Sequence, residues 1–154
     1  MSYIILAFAI GIVSGLRSMM APAAISWAAR LGILHLDGSW LAFLGYKWTP
    51  WVFSVAALGE LINDKLPTTP SRRIPPQFIF RIISGSFCGA AIGVSAGSMV
   101  IGIVAGAAGA VAGTLGGSEV RGRLAKAVGN DLPIALLEDA IAVASSVLIV
   151  RMLP

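Results

Sequence analysis

Cysteine and histidine are almost absent. The 154 residues include one Cys, Cys88, and one His, His35, which excludes an internal disulfide, a zinc cluster and a Cys/His catalytic pair. Charge is scarce as well, at 12% of residues against 57% hydrophobic. A chain this size carries more apolar surface than one small soluble core can bury, so an ordinary soluble domain is excluded and a membrane protein is predicted. There is no acidic surplus: 11 Lys and Arg exceed 7 Asp and Glu, for a net charge of +4. In an apolar chain that surplus marks loops facing an anionic leaflet and not nucleic acid. Residues 113–117 lack the Gly-Lys-Ser/Thr ending of a phosphate loop. No metal set or cofactor is implied, and His35 with Asp37 reads as a surface pair.

What the chain does have is 18 glycines and long apolar runs. Five membrane-spanning helices in one domain, residues 1–154, are predicted. Helix 1 covers residues 3–31, longer than the about 30 Å hydrocarbon thickness requires. A cleavable signal is the competing reading for this segment, but no Lys or Arg precedes it and Arg17 lies inside it. A connector at 32–47 leads into Trp40, Tyr46, Trp48 and Trp51, an interfacial aromatic belt. Helix 2 follows at 48–66, and the proline-rich stretch 67–76 reads as an extended loop. Residues 77–117 are too long for one span and form helices 3 and 4 with a turn near Gly97 and Ser98. A polar stretch at 118–131 precedes helix 5 at 132–153.

This layout gathers Lys65, Arg72, Arg73, Arg81, Arg121, Arg123 and Lys126 on one side, opposite Arg30, Lys47 and Arg151. The positive-inside rule then predicts a cytoplasmic N-terminus and an external C-terminus. Arg72, Arg73, Arg121 and Arg123 are candidates for contact with anionic lipid headgroups or a phosphorylated solute, with topology determination as the plainer alternative. An odd central span would also give helices 1 and 2 and helices 4 and 5 opposite senses, the arrangement of an inverted repeat.

Gly85, Gly89, Gly93 and Gly97 recur every four residues, and Gly102, Gly106, Gly109, Gly113 and Gly117 continue similarly. Such stripes allow close backbone approach. They can serve packing within the subunit, a homodimer seam or a lipid-tail groove, with packing inside the subunit the leading reading. Cys88 beside the stripe reads as a small buried hydrophobe.

Ionisable groups within spans are costly unless paired or wet, which makes each a functional candidate. Arg17 lies deep in helix 1, and Pro22 five residues later removes a backbone donor, so helix 1 is expected to kink or break beside a buried cation. Glu60 and Asp64 share a face of helix 2, with Asp64 reaching water and Glu60 turned toward Arg17 or a cavity. Lys65 is expected to be solvated. Glu138 and Asp139 point about 100° apart, so one is expected to face the same interior, and Glu138 is the choice. Arg17, Glu60 and Glu138 together could bind a cation or carry protons, or could be an inert network.

Four segments occur in order: SGLRS at 14–18 followed by Pro22, GELINDKLP at 59–67, GTLGG at 113–117 before Arg121 and Arg123, and LEDA at 137–140. Together they resemble the domain-of-unknown-function 4126 family of small bacterial integral membrane proteins. The resemblance implies a multi-pass protein of the bacterial cytoplasmic (inner) membrane and marks Arg17, Pro22, Glu60, Asp64, Glu138 and Asp139 as its motif positions. It implies no catalytic residue. The residues favour a small transporter or channel-like homo-oligomer with a polar intramembrane site for a solute or ion. The alternative is an accessory or lipid-binding scaffold subunit, and an enzyme acting on lipid is disfavoured for want of a nucleophile and base.

Overall fold

The computed structural model describes residues 2–65 and 74–153. Among them there are helices and no strands: α1 (Tyr3–Leu16), α2 (Met20–Arg30), a 3-10 segment (Trp40–Gly45), α3 (Thr49–Asn63), α4 (Pro75–Ser95), α5 (Met99–Val128) and α6 (Asp131–Met152). Three of these, α4, α5 and α6, are long and apolar enough to cross a membrane. Many large apolar side chains, including Val55, Ile62, Val100, Val104, Leu136 and Leu148, point outward. An apolar periphery on this scale suits lipid contact.

Helix 1, expected over 3–31 with a kink or break beside Arg17, is two helices. Arg17 is extended, at φ −142 and ψ 107, and helix resumes at Met20. At 14 residues, α1 is about 21 Å long, short of the hydrocarbon thickness. Along it Phe8, Ile12 and Gly15 lie beside Gly109, Gly113 and Thr114 of α5, so α1 and α5 run in the same sense. Opposite to both runs α4, with Gly93, Gly89 and Gly85 meeting Gly102, Gly106 and Ala110 in turn.

The α2 helix turns back. Its start touches Glu60 near the end of α3, Trp27 touches Ser54, and Ala29 lies against Gly45, so α2 and α3 are antiparallel. Beyond α2, Trp40 and Phe43 pack on Phe87 of α4, while Ile25, Ala28, Leu34 and Leu36 share a core with Leu6 and Ile10 of α1. Thus α1 and α2 form a hairpin with its tip at residues 17–19. Ile149 and Leu153 join the same core, which brings the end of α6 to the end of the bundle where α1 begins. The two chain ends, expected on opposite sides, lie at the same end of the bundle here, because α2 folds back along α1.

Boundaries elsewhere follow local chemistry. Pro50 and Pro75 lie in the first turns of α3 and α4, where a missing N–H costs nothing. The polar stretch 118–131 is mostly helix, since α5 runs on to Val128 before Gly129 closes it in the left-handed region at φ 81. Glu, Arg and Lys end the apolar run without ending a helix, because they are good helix formers.

The glycines are used inside the subunit. A Cβ at Gly89 would strike the Gly102 carbonyl, one at Gly106 the Gly85 carbonyl, and one at Gly85 would lie 2.7 Å from the Ala110 Cβ. Gly97 is different: it has open space around it and turns the chain between α4 and α5 at φ 84. Conformational freedom, and not close packing, is its role. Cys88 is fully buried beside this seam.

Candidate functional site

A helix end leaves backbone groups without intrahelical partners, so a break in the middle of a bundle must be satisfied from elsewhere. Met19 precedes α2 without a side-chain cap of its own. Glu60 of α3 supplies one: the Ser18 and Met19 amides each donate to its carboxylate at 2.8 Å, and the Ser18 hydroxyl donates at 2.7 Å. On the other side of the break, Arg81 Nη1 donates to the Gly15 carbonyl at 2.7 Å and Arg17 Nη1 to the Leu16 carbonyl at 3.0 Å. Thr114 adds a longer bond to Gly15, at 3.4 Å. The signs suit the helix dipoles, with a carboxylate at the start of α2 and guanidinium groups at the end of α1.

Pro22 lies in the first turn of α2, so it starts that helix and does not cause the break. Having no N–H, it leaves the Ser18 carbonyl free of a helical partner, and the Ser84 hydroxyl donates to that carbonyl at 2.5 Å.

Beside the tip is a cluster of alternating charge. Arg17, with no exposed surface, donates from Nε to Asp139 at 2.7 Å, and its Nη2 also pairs with Asp139. Nη2 lies 3.1 Å from Asp64 and 3.5 Å from Glu138. Arg121 of α5 bridges the same groups, 2.6 Å from Asp64, 3.2 Å from Glu138 and 2.6 Å from Asp131. Lys65 pairs with the second oxygen of Asp139. Arg81, nearly buried, stands 3.6 Å from Glu60. A charge taken out of water needs such compensation, and removing one partner leaves the other exposed to the full penalty.

Several expectations are revised by this geometry. Glu60 faces the hairpin backbone and Arg81, and the partner expected for it, Arg17, is met by Asp64, Glu138 and Asp139 instead. Both Glu138 and Asp139 are buried, because Arg17 and Arg121 approach α6 from two directions, and Asp139 makes the closer contact with Arg17. Asp64 and Lys65, expected to reach water, are held in the cluster. Arg121, a candidate for lipid headgroups, is turned inward, while Arg123 is exposed and pairs with Glu119. Arg72 and Arg73 lie outside the described residues. Arg81, read from the sequence only as one of the cations flanking the proline-rich loop, joins the site together with Ser18, Ser84, Thr114 and Asp131, which the sequence does not single out. A signal for Arg81 was present: it precedes Gly85 by four residues and so shares the packed face of the glycine stripe.

The cluster is not sealed. Between α5 and α6 a cleft of about 200 Å³ reaches it, with Arg121 and Glu138 among walls formed by Leu16, Val120, Leu137 and Ile141. Among the described residues no group of three or more His, Cys, Asp and Glu is placed to hold a metal ion.

A family model described as domain of unknown function (DUF4126) matches residues 4–152, and the chain belongs to that family. No curated protein and no solved structure matches it.

Proposed function

We propose that this member of the DUF4126 family is a small multi-pass membrane transporter or channel-like protein, working through the ion cluster at the tip of the α1–α2 hairpin. The observation that carries the reading is Arg17, without exposed surface at the tip of a broken helix and facing carboxylates from α3 and α6. Discontinuous helices whose ends meet charge inside a bundle are where transporters place their sites, because half-helix termini can bind and release a charged species without unfolding. Stability alone gives a poor reason to keep such a cluster, since apolar packing of the same volume is often as stable. The cleft at Glu138 and Arg121 gives the cluster a route outward. Exchange of a carboxylate between Arg17 and Arg121 is the step we assign to proton or cation movement.

Lys65, Arg121, Arg123 and Lys126 lie toward the end of the bundle that holds the cluster, which supports a cytoplasmic placement of that end. Since α1 returns, the N-terminus then lies on the opposite side from that read from the sequence. The bacterial inner membrane and a homo-oligomeric working unit are part of the same proposal. A subunit of 15.9 kDa has little room for a sealed pathway, but the glycines from Gly85 to Gly93 and Gly102 to Gly113 are already used in contacts within it, so the subunit seam must use other surfaces.

A scaffold or accessory subunit is the second reading, favoured by one observation: the carboxylates of the cluster are engaged in ion pairs. Native mass spectrometry of protein released gently from its membrane separates the two. A homo-oligomer retaining a small polar ligand that Glu138→Gln removes supports transport, whereas a stoichiometric foreign subunit supports the scaffold.

A further inference from the structure

Away from the cluster, a lateral groove of about 610 Å³ runs between α2, α3 and α6. Met20, Leu61 and Val143 line one end and Leu31, Val150 and Arg151 the other, with Trp27 and Leu58 between. From Met20 to Leu31 the floor is about 16 Å long. Two hydroxyls border it and neither offers a free donor: Ser54 donates to the Pro50 carbonyl while accepting from Trp27, and Ser146 donates to the Ala142 carbonyl. The walls therefore present apolar surface, which suits a hydrocarbon and rejects a polar solute. The volume lies within the about 300–1,000 Å³ of small-ligand sites. A helix of a partner protein, about 10 Å across and seated to full depth over that length, would displace about 1,250 Å³.

The one charged lining residue is Arg151, exposed in the last turn of α6 and without an acidic partner among the described residues. Trp27 packs edge-on against Trp51 with centroids 5.1 Å apart, and the nearby Tyr46 and Trp48 are exposed at this end of the bundle. Aromatic side chains in such positions mark the headgroup level of a bilayer. We infer that this groove binds one acyl chain of an anionic membrane phospholipid, with the lipid phosphate held by Arg151. The Arg151 end of the groove lies at the opposite end of the bundle from Arg121, Arg123 and Lys126, and the inference stands independently of the transport reading. The chain terminus abuts the hairpin, since Met20 follows Met19 and Val143 lies one helical turn beyond Asp139.

Trp27 reports on occupancy. Full-length protein is reconstituted in phosphatidylcholine vesicles containing equal mole fractions of either brominated phosphatidylglycerol or brominated phosphatidylcholine. The Trp27 contribution is the difference in quenching between wild type and Trp27→Phe. Brominated phosphatidylglycerol should be preferred by about fivefold, as expected for one cation at a lipid surface, and Arg151→Gln, on an exposed position that leaves folding intact, should abolish the preference. Equal quenching by both lipids overturns the proposal, as does a preference that survives Arg151→Gln. A dimer whose Trp27 neither lipid quenches overturns it too, by showing a second copy in the groove.

Discussion

Arg17→Met tests the energetics of the cluster. Methionine keeps an unbranched apolar side chain in the space of the arginine stem but removes the cation and its donors. The Asp139 carboxylate would lose two of its contacts and keep Lys65, while Asp64 and Glu138 would keep Arg121. Breaking a buried ion pair from one side costs about 3–5 kcal/mol, and these surviving partners place the expected loss near about 3 kcal/mol. Asp139→Asn leaves Arg17 with Asp64 and Glu138, so its loss should be nearer about 2 kcal/mol. In the double variant the losses should fall short of additive by about 1–3 kcal/mol, because each single change already removes the shared bonds. Reversible SDS unfolding in detergent micelles, followed by near-UV circular dichroism, measures all four proteins. Losses under about 0.5 kcal/mol for both single variants, or strict additivity, would refute the reasoning.

Other consequences are as direct. Gly106→Ala drives a methyl into the Gly85 carbonyl and should destabilise the protein by about 1–3 kcal/mol in the same unfolding assay, whereas Gly116→Ala, with open space around it, should be neutral or stabilising. Glu60→Gln removes the charged acceptor of the Ser18 and Met19 amides, so hydrogen exchange should speed at the hairpin tip ahead of the rest of α2. On a Cys88→Ser background, impermeant maleimide should reach Ser2→Cys and Ser39→Cys from one side of the membrane and Ala127→Cys from the other. Labelling of Ser2→Cys and Ser39→Cys from opposite sides would mean that α1 crosses.

Much of the helical architecture is legible in the chain because apolar runs and prolines are local signals. The turn near Gly97, the start of α6 near 131–132 and the four-residue glycine stripes follow from spacing, whereas the pairing of α4 with α5 through those stripes is seen only in the structure. The fold-back at Arg17 does not. Residues 17–19 contain neither proline nor glycine, and what ends α1 there is a set of partners far away in sequence: Glu60 for the amides, Arg81 for a carbonyl, Asp139 for the guanidinium. Pro22 drew attention to the right neighbourhood for a different reason, since its missing donor matters to Ser84 and not to the break. The candidate site was readable as a set of residue types, because an ionisable group within an apolar run stands out. Its pairings were not, since they depend on which helices cross and in which sense. Asp139 illustrates the limit: α6 meets cations on two sides, so both neighbours of the pair can be satisfied.

The most direct measurement is proton movement across proteoliposomes that enclose a pH-sensitive dye, with wild type, Glu138→Gln and protein-free vesicles compared at equal lipid. Wild type should dissipate an imposed pH gradient well above the protein-free rate, and Glu138→Gln, reconstituted to the same folded amount, should fall to that background. Wild-type flux at the background, or Glu138→Gln flux equal to wild type, would contradict a working role for the cluster.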